Sequence, residues 1–192
     1  VYLKGVDANY DNVCGVASKT NRGRYQTGTA DDPRLVAGSG IQNAISINVN
    51  PALPSDPLTI ILPKRNAPGN DPLQSISEGH VRAAGVFTIQ QEFDDKYVLT
   101  NIDFVKQQMG FDPDEYSAVE IKLKPGAEAE QVKASLATAL GKTYKVQTRY
   151  EQNNSLYTTM KMEKWAIYAV LTLILVIAAF NMISALTMLV LE

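Results

Sequence analysis

Among its 192 residues the chain has one cysteine, Cys14, one histidine, His80, and one tryptophan, Trp165. A single thiol closes no internal disulfide and leaves the redox compartment open. For Cys14 a small buried hydrophobe is the default reading, ahead of a reactive thiol. His80 has only Glu78 nearby in sequence, and no second His or Cys is placed to complete a metal set. A G-x-S-x-G elbow is missing. Gly38-Ser39-Gly40 lacks the third glycine, the Lys-Ser/Thr pair and the later acid that a phosphate or dinucleotide loop requires, so it reads as a strand-to-helix turn. Asp94-Asp95 and Asp112/Asp114 read as turn and loop acids. No catalytic residue, metal site or cofactor site is assigned, and no ATP site is expected. An excess of one charge is lacking too. All 18 basic side chains and every acid of the 20 except Glu192 precede residue 165, so that part is nearly neutral. Nucleic acid, which wants a basic face, is not an expected partner.

What the chain has instead is an uncharged run at residues 165–191, polar only at Thr172, Asn181, Ser184 and Thr187. A hydrocarbon core ~30 Å thick needs about 20 apolar residues at 1.5 Å each. The run therefore spans with length to spare, and no Pro or Gly interrupts its backbone bonding. Its position and length exclude a signal peptide. Lys164, Trp165 and Tyr168 are the expected interfacial anchors. The spacing of Tyr157, Met160, Trp165 and Tyr168 predicts that the helix starts before the bilayer, as a stalk that passes force. Phe180, Asn181, Ser184 and Thr187 are the candidate packing or cavity residues. An amide in hydrocarbon faces another helix or a cavity, and helix–helix packing is the preferred role for Asn181.

The preceding residues suffice for one ordinary domain or two small ones. Residues 1–6 alternate as a strand and close at the turn-prone Asn9-Tyr10-Asp11-Asn12. Residues 21–33 read as a polar loop. Leu35-Val36-Ala37 is a buried strand, and Ser39 is placed to cap a short helix at 41–47. Residues 58–62 form a strand between Pro57 and Pro63. Residues 64–82, centred on Pro68-Gly69-Asn70-Asp71-Pro72, read as a long projecting loop before a strand resumes at Val86-Phe87 and Ile89. Loops of this length in compact domains are functional or disordered. Residues 96–99 are a strand. Residues 102–109 form an amphipathic helix with Ile102, Val105 and Met109 on one face, stopping at Gly110. After the break at Asp112-Pro113-Asp114-Glu115, a βαβ unit is expected: strand 118–123, turn Lys124-Pro125-Gly126, helix 128–140 with Val132, Leu136 and Leu140 on one face, and strand 144–148. The predicted class is thus an α+β domain, followed by a stalk and a transmembrane helix.

Several stretches carry a resemblance: Lys4-Gly5-Val6-Asp7 with Tyr10, Gly38-Ser39-Gly40-Ile41, Gly85-Val86-Phe87, Tyr97-Val98, and Ile121-Lys122-Leu123-Lys124-Pro125-Gly126. Above all there are Glu163-Lys164-Trp165-Ala166-Ile167 and Ala179-Phe180-Asn181-Met182-Ile183. Over nearly its whole length the chain resembles lipoprotein-releasing ABC transporter permeases of the LolC/LolE type, FtsX-like permeases with a MacB-type periplasmic core domain. The resemblance implies a fragment of a four-span permease. Residues 1–112 would be a β-rich sabre-like part, 113–152 a porter-like βαβ, and 153–192 a stalk continuing into the second span. It implies the inner membrane, with residues 1–164 in the periplasm. The implied partners are a second permease subunit (identical or paralogous), cytoplasmic ATPase subunits on separate chains, a lipoprotein substrate and a periplasmic lipoprotein chaperone. In the family's chaperone-binding member a projecting hook docks the chaperone. The matching place in this chain holds Pro63, Lys64, Arg65, Asn66, Pro68, Pro72, Leu73, Ile76, His80 and Arg82, and the resemblance leaves two roles for it, chaperone docking or facing the lipoprotein. A MacB- or FtsX-type permease is the alternative within the superfamily. Outside it, the alternative is a membrane-anchored periplasmic binding or sensor domain without transport.

Overall fold

The computed structural model describes residues 1–49, 56–65, 75–152 and 154–191, with side chains left undescribed at 154–160 and 189–191. The chain forms two compact units, Val1–Lys122 and Leu123–Glu192. Its class is mixed α and β, a sheet followed by a long apolar helix.

The first unit is built on a six-stranded mixed sheet. Its strands are β1 (Tyr2–Val6), β2 (Thr20–Gly23), β3 (Arg34–Gly38), β4 (Pro57–Pro63), β5 (Ile76–Phe87) and β6 (Tyr97–Asn101). They lie in the order β1-β6-β3-β5-β2, with β4 also paired to β5. β1 and β6 are parallel, as are β3 and β5, whereas β3–β6, β2–β5 and β4–β5 are antiparallel. Alternation sends neighbouring residues to opposite faces, and both faces are covered. Leu35, Ala37, Val81, Ala83 and Val98 bury one face with Ile41, Ile47 and Phe104. Val36, Leu99, Val6 and Phe87 bury the other with Val16. Thr100 is fully buried yet satisfied, its hydroxyl donating to the Arg34 carbonyl at 2.9 Å.

Helix α1 (Tyr10–Cys14) replaces the expected turn at 9–12 and closes on Gly15 in the left-handed region, φ 68°. Part of the expected loop 21–33 is β2, which pairs with the end of β5. Helix α2 (Ser39–Ile45) starts at Ser39, and Gly38 holds the cap position. Ser39 does not cap; its hydroxyl faces the Asp94 carboxylate at 3.3 Å. The glycines at 38 and 40 are needed because helix α3 (Gln91–Asp94) and the residue after it press on this turn. A Cβ at Gly38 would sit 2.2 Å from the Asp94 carbonyl oxygen, and one at Gly40 would sit 1.7 Å from a carboxylate oxygen of Asp95. The turn is filled by the protein itself, not shaped for phosphate.

Helix α4 (Ile102–Met109) is capped by the Asn101 side chain, which accepts from the amides of Asp103 and Phe104, and ends at Gly110 with φ 71°. Phe104 and Lys106 are its fully buried residues, Val105 of the expected face packs on the core beside Phe104, and Ile102 and Met109 are half-buried. The Lys106 ammonium donates to the Pro113 carbonyl and lies 3.6 Å from the centre of the Tyr116 ring.

In the second unit, helix α5 (Ala129–Leu140) forms as expected after the Lys124–Ala127 turn and stops at Gly141. Its flanks, 118–123 and 144–148, are not strands. Val119 and Ile121 are exposed, and no ladder forms along them; a strand without a partner leaves its N–H and C=O groups to water. Helix α6 (Arg149–Gln152) precedes helix α7 (Asn154–Leu191), 38 residues in one piece. The helix therefore begins seven residues before its apolar stretch, Lys161–Met188.

Candidate functional site

Two features stand apart from ordinary packing: the apolar helix and a hairpin that overhangs the sheet. Within α7, Lys161–Met188 is long and apolar enough to cross a membrane, with a mean hydropathy of 2.5, and none of it is buried within the chain. Side chains leave it exposed on every side, including Trp165, Tyr168, Phe180 and Met182. The polar residues divide into two kinds. Thr172 donates its hydroxyl to the Tyr168 carbonyl and Thr187 to that of Ile183, each at 2.8 Å. These back-bonds satisfy the hydroxyls without a neighbour. Among the described residues no such bond is made by the exposed Asn181 amide or the Ser184 hydroxyl, and in hydrocarbon the amide, with more donors and acceptors, calls most for a partner. Of Phe180, Asn181, Ser184 and Thr187, Thr187 thus has the weakest claim to an external contact. Lys164, Trp165 and Tyr168 lie in the first turns of the apolar stretch, where anchors belong.

The hairpin is β4–β5. The expected 64–82 loop is largely strand: β5 begins at Ile76 and pairs with β4 from Pro63↔Ile76 to Pro57↔Arg82. Alternating exposure explains how hydrophilic residues hide in a strand, since Glu78, His80 and Arg82 face out while Gly79, Val81 and Ala83 face in. On its other edge β5 meets β3 only from Arg82 onward, so residues 76–81 extend past the sheet with β4 alone. Helix α4 supports this overhang. Phe104, 3% exposed, lies under Gly79, and Gln108 accepts from the Ser77 hydroxyl. Arg65 ties the tip end of the hairpin to the helix end: its amide donates to the Met109 carbonyl at 3.0 Å, its guanidinium pairs with Glu115 and lies 5.6 Å from the Phe111 ring centre.

The candidate hook residues therefore separate. Pro63, Lys64, Arg65 and Ile76 flank the hairpin tip, while Asn66, Pro68, Pro72 and Leu73 lie outside the described residues. His80 and Arg82 belong to β5 rather than to a loop, four and six residues along from Ile76, roughly 14 and 20 Å at strand rise. His80 faces the Thr59 hydroxyl across the hairpin at 3.3 Å. The sequence reading missed Phe104, Gly79 and Arg65–Glu115 as the hairpin's supports.

Polar clusters elsewhere are structural. The Lys4 ammonium contacts Tyr10 and Glu120; burial opposes its charge, but those hydrogen bonds outweigh burial and raise its pKa. Burial likewise raises the Tyr25 phenol, whose hydroxyl is buried without a partner among the described residues. Asp94 accepts from the Ile89 amide at 2.9 Å and fastens the loop before β6. Cys14 is exposed, not the buried hydrophobe expected. Among the described residues no group of three His, Cys, Asp or Glu is placed to hold a metal.

No family model matches the chain. Its curated homologues are transmembrane proteins of lipoprotein-releasing systems. It is 22% identical over 154 residues to "Lipoprotein-releasing system transmembrane protein LolE" of Haemophilus influenzae, covering 80% of this chain and 35% of that protein. It is 32% identical over 108 residues to "Lipoprotein-releasing system transmembrane protein LolC" of two Xylella fastidiosa strains, covering 56% of this chain and 26% of those proteins. The chain thus spans about a third of the length of these relatives, or less.

Proposed function

We propose that these residues are part of a permease subunit of an ABC transporter that releases lipoproteins from the bacterial inner membrane to a periplasmic chaperone. Residues 1–164 would lie in the periplasm, and Lys164, Trp165 and Tyr168 would mark the periplasmic rim of the bilayer. Residues 1–112 would be the sabre-like part, 113–152 the porter-like part, and 153–192 the stalk and second span. ATP would be hydrolysed on separate cytoplasmic subunits, and a second permease would complete the complex. The chain's own role would be mechanical.

The observation that carries this reading is the unbroken α7, joined to homology with lipoprotein-releasing transmembrane proteins. A helix without Pro, Gly or bulge transmits axial and rotational displacement across its length, about 57 Å at 1.5 Å per residue. The load suits a motor. Exposing an acyl chain costs ~0.8 kcal/mol per methylene, roughly 12 kcal/mol for a chain of about 15, so release needs work from outside the membrane. The β4–β5 hairpin would be the docking arm for the chaperone. Its bracing against α4, by Phe104 under Gly79 and by Arg65 near the tip, supports that assignment.

The test is depletion of the full-length protein in its own host, with and without complementation by a variant lacking residues 66–74. Depletion is expected to leave triacylated lipoproteins in the inner membrane. The shortened variant is expected to lose photo-cross-linking to the chaperone from a probe at Lys64. Correct lipoprotein sorting on depletion would refute the transport reading; unchanged cross-linking would refute the arm.

A further inference from the structure

The Glu151 side chain of the short α6 reaches helix α5. Glu151 has its two carboxylate oxygens committed to different elements. One accepts from the Thr148 amide at 3.1 Å, while the Glu151 amide reaches back to the Thr148 hydroxyl at 3.4 Å. This is a reciprocal capping box at the start of α6, written in the sequence as Thr148-x-x-Glu151. The other oxygen pairs with the Lys133 ammonium from the middle of α5. Lys133 is steadied from its own helix by Glu130 at 3.8 Å, and Lys145 adds a favourable charge beside Glu151. Thr148 is buried at this junction, and a cleft opens there lined by Lys133, Lys145, Val146, Gln147 and Glu151.

We propose that Glu151 is a two-way coupling residue, which starts the helix leading to the stalk and at the same time ties that start to α5. A cap alone would leave α5 free to diverge from the foot of α7. An ion pair alone would hold α5 to an unstructured segment. One carboxylate doing both couples displacement of α6, the helix that leads to the stalk, to displacement of α5. The inference deepens the mechanical reading and rests on it for its purpose, but its geometry is tested without any transport.

Spin labels are placed by Thr138→Cys on α5 and Gln152→Cys on α6 in a Cys14→Ser background, in the full-length protein reconstituted in nanodiscs. Pulsed electron resonance then reads the α5–α6 distance distribution. Glu151→Gln keeps a cap acceptor but removes the charge, and Lys133→Met removes the partner. Both are expected to raise the population at longer distance about two- to fivefold, the scale of an exposed ion pair. Thr148→Val is expected to increase hydrogen exchange at α6 while leaving the ion pair. A wide distribution in Glu151→Gln with an unchanged one in Lys133→Met would overturn the tether, as would no change in either. Should a variant lose α5, the unmutated protein serves. Raising salt from 0.1 to 1 M shortens the screening length from about 10 to 3 Å and is expected to broaden the distribution. A salt-insensitive distribution would equally overturn the proposal.

Discussion

Gly79→Ala isolates the contact that supports the overhanging hairpin. A Cβ there would lie 2.5 Å from Phe104 Cζ, 2.9 Å from Cε2 and 3.0 Å from Gln108 Cδ. The Gln108 end is flexible, but Phe104 is 3% exposed and boxed in by the core, so the ring has nowhere to swing. Overpacking of this kind costs about 1–3 kcal/mol. Against it stands the gain from replacing a strand glycine, about 0.5–1 kcal/mol. The clash wins, leaving a net loss near 1–2 kcal/mol and, for a unit of this size, a melting temperature lower by about 4–8 °C. Thermal unfolding of the protein in detergent, followed by near-ultraviolet circular dichroism, reads the shift. Hydrogen exchange at β4 and β5 shows whether the hairpin loosens first. Phe104→Leu in the Gly79→Ala background relieves the clash, so the double variant is expected to be less destabilised than the two single losses together, with a coupling above about 0.5 kcal/mol. An unchanged melting temperature for Gly79→Ala, or strict additivity of the pair, would refute the argument that α4 positions the arm by this contact.

Asp94→Ala orphans the Ile89 amide and the Ser39 hydroxyl and is expected to cost about 1–3 kcal/mol, read by denaturant unfolding. Asn181→Leu is expected to weaken association of α7 with a neighbouring helix by roughly 0.6–2 kcal/mol in a membrane two-hybrid or energy-transfer assay, whereas Thr187→Val, whose hydroxyl is already satisfied, is expected to change little. The α5–α6 tie also has a pH window. Its hydrogen bond to Lys133 holds Glu151 below the usual carboxylate range, so that contribution is full above the ordinary pKa and is lost as pH falls through the lowered one. The bond to Glu151 holds Lys133 above its ordinary value, so its contribution is full below that value and is lost as pH rises through the raised one. The label distance between α5 and α6 should therefore stay fixed through neutral pH and spread only in acid below the carboxylate range or in strong alkali.

The elements legible in the sequence were those fixed by local pattern. β1, β3, β4, β6, α4, α5 and the membrane run all follow from period-2 or period-3.6 hydrophobicity and from glycine stops at 110 and 141. β5 was only half legible, because Ser77, Glu78, His80 and Arg82 interrupt its apolar signal. Glu78 and His80 belong there since one face of a two-stranded overhang is open to water, whereas Ser77 is on the inward row and donates to Gln108 of α4. β2, with Thr-Asn-Arg-Gly and no hydrophobic residue, is a strand only because the edge of β5 accepts it. The opposite error fell at 118–123 and 144–148, where alternating sequence finds no ladder. The candidate site was legible in the same uneven way. Asn181, Trp165 and Tyr168 stand out from composition alone, while the Phe104–Gly79 and Arg65–Glu115 supports join residues 25 and 50 positions apart, beyond any local signal. The Thr148-x-x-Glu151 box was available in the sequence and went unread.

β5 is held by three neighbours in its C-terminal half, through β3 and β2 and the start of β4, and by β4 alone beyond it. Reach and anchorage are therefore separate properties of one strand. Adding two residues to each arm of the hairpin lengthens it by about 7 Å and keeps every side chain on its own face. Adding one would turn the inward row outward. The appendage can be lengthened in such paired steps while the body that bears it stays as it is, whereas shortening it would cost the Ser77, Gly79 and Arg65 contacts with α4.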